Sequence, residues 1–309
     1  HKTTLDDALL VSLAQIPDGS AEAAGVAVGK QAAAAVMARA ALPAGTSVSA
    51  YRPVTTPGTY IDPGLPSIQP FDLAMPPFVL TSPAEFRPAP PPALTSGTYA
   101  RDLEEVRRLG STTSADRPAD RTVLADVFLQ IRTWPVVERF ACTPERRPVD
   151  TARLFSLVEV AAEETWLAVM DAKMHYGTWR PITAIRNADR DGNEATTPDP
   201  GWTPLLRTPT HPDYPCGHCG NAAALATVLE TVTGPAPAGG IPVPSYVENP
   251  GLHVRFATWQ QFVQEMSMSR IYAGAHTRTA NDVAEAMGRA VARRVLTTIL
   301  LPVASTSTR

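Results

Sequence analysis

Apolar residues recur at helical spacing through most of the chain, and Gly and Pro punctuate the series into separate helices. Residues 4–15 and 21–41 are Ala-rich with apolar positions at that period, which predicts two helices, the second long and mostly buried. Ser96 opens a helix whose stripe of Tyr99, Leu103, Val106 and Leu109 ends at Gly110, and another is predicted over 119–132. Asp150 reads as the cap of a long apolar helix that turns Leu154, Val158, Ala161, Leu167 and Met170 toward the core and delivers Lys173. Further helices are predicted over 217–232, 257–273 and 280–300. No series of runs alternates with period two and no internal repeat is present, so the expected fold class is all-α.

Two kinds of segment lack the helical period. From Pro43 to Pro92 prolines crowd the chain, which predicts an extended arm over the surface. Tyr51, Tyr60, Phe71, Phe78 and Phe86 give that arm apolar anchors of a kind that disordered linkers lack. Residues 188–215 are polar and rich in Asp, Gly, Asn, Thr and Pro and read as a functional loop, and a Gly/Pro loop is expected up to His253. The organisation expected is one all-α domain over 1–309, with N-terminal helices at 1–42, the Pro-rich arm at 43–95 and a catalytic helical core at 96–302.

Composition narrows the function. The 309 residues are 44% hydrophobic, enough for one large domain with a substantial core. The net charge of −3 and the absence of a long basic run exclude the electrostatic footprint of a nucleic-acid binder, so an oxyanion ligand has to be met by a local cluster of cations. The apolar stretch at 291–303 is interrupted by Arg293, Arg294 and Pro302, so no membrane span is expected. A start at His1, without Met or a signal-like apolar segment, reads as a mature form, and a secreted or periplasmic location is the expectation. Cys142, Cys216 and Cys219 are too few for a disulfide scaffold.

Three clusters carry candidate chemistry. Pro212-Asp213-Tyr214-Pro215 cannot be helical and an Ala-rich helix follows at once, so Gly217 and His218 fall at a helix N-terminus, where free N–H groups and the dipole favour an anion. Lys173 and Arg180 flank Gly177, and Pro181 follows, which ends one helix and brings the Arg in from a loop. Arg270 and His276 would diverge on one continuous helix, and Gly274 supplies the break that lets them share a ligand.

In order, Lys-x6-Arg-Pro, Pro-x-Gly-His and Ser-Arg-x5-His resemble the signature of vanadium-dependent haloperoxidases and type 2 phosphatidic-acid-phosphatase-like acid phosphatases. The flanks Thr178–Arg186 and His211–Pro215 are similar to the soluble bacterial haloperoxidase branch. The resemblance implies a helical bundle in which Lys173, Arg180 and Arg270, with the Gly217 N–H and Cys216, surround vanadate, or phosphate as an alternative occupant. It implies that His276 bonds vanadium or attacks phosphorus, that His218 is the acid–base opposite it, and that Lys173 polarises bound peroxide. His211 matches the position occupied by His in bromoperoxidase-like members, which favours bromide or iodide.

The implied reactants are hydrogen peroxide, halide and an organic acceptor, or a small phosphomonoester for an acid phosphatase. A homodimer is among the assemblies left open. Cys216 stands where the family has Ser, and Ala280 where the phosphatase form has the Asp that orients the last His. Cys216-Gly217-His218-Cys219 also reads as a Cys-x-x-Cys pair, which leaves a dithiol redox module, or a non-catalytic oxyanion binder, as the reading of another class.

Overall fold

The computed structural model describes residues 2–40, 54–62, 75–129, 133–244 and 253–301. Its contacts group the chain into two compact units, His1–Ser47 with Ala74–Pro76, and Val48–Leu73 with Pro77–Arg309. The first unit holds helices α1 (Lys2–Leu13) and α2 (Ser20–Ala40). The long helix is present, but none of its described residues is buried, contrary to expectation. A surface of alanines all round the helix has little apolar area to bury and no stripe to aim at a core.

The second unit is an all-α bundle. Its helices are α3 (Gly97–Leu109), α4 (Ala119–Leu129), α5 (Thr133–Ala141), α6 (Pro148–Tyr176), α7 (Pro181–Arg186), α8 (Gly217–Thr233), α9 (Trp259–Tyr272) and α10 (Arg278–Thr298). Helix α8 is central and packs against α10, α6 and α9. Its run Ala222, Ala223, Ala224 and Ala226 is fully or nearly fully buried, because small side chains let the neighbours approach closely. The limit is reached where α8 meets α10: a Cβ added to Gly288 would lie 2.0 Å from the carbonyl oxygen of Gly220. Apolar side chains of α4, α5, α6 and α9, among them Phe128, Leu154, Leu157 and Phe262, close the core around this pair.

Local chemistry explains most boundaries and two departures. Ser96 caps α3 by accepting from the Tyr99 N–H, as expected. Helix α6 is instead preceded by Arg147 with Pro148 in its first turn, and Asp150 sits inside that turn, paired with Arg147 at 2.7 Å. A proline is tolerated there because first-turn N–H groups have no helical partner. The same logic accounts for α5, which begins beside Pro135 and is not among the helices the sequence predicts; the helix expected over 119–132 is α4.

Between α8 and α9 the expected loop contains a short antiparallel pair, β1 (Ile241–Pro244) and β2 (His253–Phe256), in register Ile241 with Phe256. Ile241, Val243 and Phe256 are buried on one side of it, a period-two signal too short to read from sequence. Of the Pro-rich arm, residues 43–53 and 63–74 lie outside the described residues. The remainder is irregular apart from a 3-10 turn at Pro83–Phe86. One anchor is polar: the buried carboxylate of Glu164 on α6 accepts from the backbone N–H groups of Phe78, Val79 and Leu80 at 2.5, 3.2 and 2.7 Å. Among the described residues no helix is long and apolar enough to cross a membrane.

Candidate active site

Three chain reversals bring the candidate residues together. Gly177 caps α6 in the left-handed conformation, φ 54°, with its N–H on the Lys173 carbonyl, so Lys173 lies in the last turn. Three residues later Arg180 is the N-cap position of α7, with Pro181 opening that helix. The Pro-rich arm clamps this turn: Tyr60 N–H donates to Gly177 O at 2.6 Å and Trp179 N–H to Gly58 O at 2.9 Å. Asp213 N–H donates to Thr178 O at 3.0 Å and so fastens the 211–215 segment to the same turn.

Cys216 is the N-cap residue of α8, and its N–H donates to Ala280 O of α10 at 2.9 Å. At the end of α9, Gly274 takes φ +71°, and the reversal returns the Ala275 N–H to the Arg270 carbonyl at 3.0 Å. That turn is pressed against Gly110, whose added Cβ would lie 2.6 Å from the Gly274 Cα, so both glycines are required by a close approach.

The result is a buried cationic cluster. Lys173, Arg180, Arg270, His276 and Asp213 are 0, 0, 1, 1 and 2% exposed. Arg180 is the hub. Its Nε donates to His211 O at 2.6 Å, its Nη1 donates to Ala275 O at 2.8 Å and lies 3.0 Å from His276 Nε2, and its Nη2 lies 2.9 Å from His211 Nδ1. Lys173 Nζ donates to the Pro212 and Asp213 carbonyls at 2.5 and 2.9 Å, which leaves one of its three N–H bonds for a ligand. Arg270 is different: its Nε and Nη1 are buried with no hydrogen-bond partner.

Asp213 is a site residue that the motif reading passed over. Its Oδ1 lies 2.6 Å from His276 Nδ1 and its Oδ2 accepts from Thr277 Oγ1 at 2.9 Å. Trp166 of α6 is another. It meets the His211 ring edge-on with centroids 6.1 Å apart, and a Cβ on Gly217 would come within 3.0 Å of it. In sequence the only signal for Asp213 was a carboxylate inside the Pro-x-x-Pro turn, and for Trp166 a position on the Lys173 helix.

Electrostatics follow from burial. Burial, reinforced by Arg180, lowers Lys173 well below its ordinary value, while Asp213 opposes the fall. Arg180 is brought down to about 10 by burial against the support of Asp213, and Arg270 to about 10 by burial and Arg180. His276 is held neutral by burial and by the fields of Arg180, Lys173, Arg270 and His211. Burial pushes His211 down too, and the fields of Lys173, Arg180 and His218 add to the effect. Asp213 is raised by burial to about 6, although Arg180 and Lys173 pull it down. Three buried cations face one carboxylate, an imbalance that an oxyanion among them would relieve.

Gly217 opens α8, so its N–H and that of half-buried His218 belong to the first turn, where no helical carbonyl is available to them. The sulfurs of Cys216 and Cys219 are bonded to each other. Cys216 therefore has no S–H to give an oxyanion, contrary to its sequence assignment. Its sulfur still accepts from the Cys219 N–H at 3.2 Å and so closes the cap of α8.

The fold is that of the bacterial vanadium haloperoxidases. Residues 153–303 match the family described as the VCPO second helical-bundle domain, which bears out the superfamily suggested by the three motifs. A bacterial vanadium-dependent iodoperoxidase is similar at 27% identity and TM-score 0.63, over 78% of this chain and 60% of that one. The apo and holo forms of a bacterial vanadium-dependent chloroperoxidase are similar in fold, at 20% identity and TM-scores of 0.65 and 0.64. The chain covers 65% and 64% of those proteins and 81% of itself in each comparison, so it spans less than two thirds of the length of all three. No curated protein sequence matches the chain.

Proposed function

We propose that the chain is a vanadate-dependent haloperoxidase that oxidises bromide or iodide with hydrogen peroxide. The observation that carries this reading is the pair of orphaned, buried donors on Arg270 in a cluster of three cations around a neutral histidine. Such donors fit an oxyanion, because each unmade bond to a buried cation is costly and planar guanidinium groups match tetrahedral oxygens. Lys173, Arg180 and Arg270 would balance the charge of vanadate, the Gly217 N–H would add a backbone donor, and His276 Nε2 would be the ligand atom. Bound vanadate would supply a Lewis acid that activates peroxide without a change in its own redox state.

The protein's own work is then electrostatic and protolytic. The remaining Lys173 N–H polarises an oxygen presented to it, and His218 at the head of α8 holds or releases a proton on the opposite side from His276. His211, neutral and fixed by Arg180, lies at the edge of the cluster and supports the assignment of bromide or iodide. The Cys216–Cys219 disulfide suits an oxidising compartment, which supports a secreted or periplasmic location. The test is reconstitution with orthovanadate and halogenation of a phenol or a diketone in the presence of peroxide and each halide. The expected result is a vanadate-dependent rate with bromide and iodide. Vanadate bound, with no rate above the apoprotein, refutes the proposal.

One observation favours a second reading. A carboxylate on His276 Nδ1 equally suits an imidazole that attacks phosphorus, so an acid phosphatase acting on small phosphomonoesters through a phosphohistidine is the alternative. Hydrolysis of a chromogenic ester, inhibited by vanadate, distinguishes it. The dithiol reading is weakened by burial, since neither Cys216 nor Cys219 exposes surface to a protein thiol.

A further inference from the structure

We infer that Asp213 is the positioning residue of His276: it holds the imidazole in the Nδ1–H tautomer and aims the Nε2 lone pair at the oxyanion. The inference rests on the oxyanion-site reading above and deepens it. Ala280, one helical turn past His276, has no side chain for the task, and its carbonyl is occupied by the Cys216 N–H. The carboxylate comes from a different element, the turn that precedes α8.

Two neighbours favour the same tautomer. At Nδ1, Asp213 Oδ1 stands 2.6 Å away, has no other hydrogen-bond partner and, as a carboxylate, can only accept. Arg180 Nη1, which can only donate, stands 3.0 Å from Nε2 and 3.4 Å from Nδ1, nearer the nitrogen that pairing with Asp213 leaves with a lone pair. Asp213 is itself held through its other oxygen and its main chain. Oδ2 accepts from Thr277 Oγ1, the Asp213 N–H is bonded to Thr178 O, and the Asp213 carbonyl accepts from Lys173 Nζ. Lys173, Arg180 and His276 therefore converge on one residue through side chain and main chain. An imidazole backed by a fixed carboxylate is a more basic and better oriented ligand than one backed by solvent.

The test uses the full chain labelled with 15N-histidine, His276 being assigned by the loss of its signals in His276→Gln. Without any oxyanion, wild type is expected to show the Nδ1–H tautomer, with an exchange-protected, far-downfield Nδ1 proton. Asp213→Leu removes the acceptor and loses that proton. Asp213→Asn, which retains a carbonyl acceptor, keeps a proton that moves upfield. Calorimetric titration with orthovanadate is expected to weaken about 10–100-fold in Asp213→Leu, with partial recovery in Asp213→Asn. Thr277→Val, which leaves the acceptor in place, should keep the tautomer and shift affinity less.

An Nε2–H tautomer in wild type overturns the inference whatever the variants do, and so does wild-type vanadate affinity in Asp213→Leu. Wild type that shows the expected proton but binds neither vanadate nor phosphate refutes the proposed function and leaves the positioning pair standing.

Discussion

Replacing Arg270 by Met separates stability from function at this site. Burial and the neighbouring Arg180 bring Arg270 down to about 10, which corresponds to roughly 3 kcal/mol against its charged form. The side chain is 1% exposed, so solvent screening does little to reduce that figure. Met keeps the length of the apolar stem and removes both the charge and the two unpartnered nitrogens. The apoprotein is therefore expected to gain about 1–3 kcal/mol. For a chain of this size, at about 2 °C per kcal/mol, the Tm rises by roughly 2–6 °C.

The response to ligand moves the other way. Orthovanadate at a hundred times its Kd stabilises wild type by about 2.7 kcal/mol, or roughly 5 °C. In Arg270→Met most of that shift disappears at the same concentration. Calorimetric melts of both proteins, with and without vanadate, read all four numbers. A variant that melts lower than wild type while keeping the full vanadate shift refutes the reasoning, because Arg270 would then be a structural cation and not part of an anion site.

Other consequences follow from the same contacts. His211 and His276 are neutral in the fold and charge below about pH 6.5 when unfolded, so stability falls as the pH drops from 7 to 5, by up to about 2.7 kcal/mol per pH unit for two protons. Asp213, raised to about 6, acts in the opposite sense between its ordinary value near 3.8 and 6 and offsets up to about 1.4 kcal/mol per unit there. Urea midpoints at pH 7, 6 and 5 check the sign. Gly288→Ala sets a methyl against the Gly220 carbonyl on a neighbouring helix, where backbone cannot yield, and should cost at least about 3 kcal/mol by urea unfolding. Glu164→Gln leaves one acceptor for three N–H groups, so a loss of about 2–3 kcal/mol and new proteolysis near Phe78–Leu80 are expected.

Much of this protein is determined by local chemistry. The stripe Tyr99, Leu103 and Val106, the glycines that end α6 and α9, and the start of α8 behind Pro215 each rest on one residue type with one conformational consequence, and each was legible in order. The spacing of Lys173, Arg180, Gly217, His218, Arg270 and His276 likewise marks the candidate cluster in the sequence. What escaped depends on partners distant in the chain. The β1–β2 pair is too short to show a period. The close approach at Gly220 and Gly288 exists only because two helices cross there. Asp213 as the partner of His276 is the sharpest case. The motif directs attention to the residue four positions after the histidine, while hydrogen bonding is decided by distance in space, and the carboxylate 2.6 Å away comes from the turn before α8. Sequence thus sets which groups are available and where the chain reverses, and tertiary packing alone decides which of them meet.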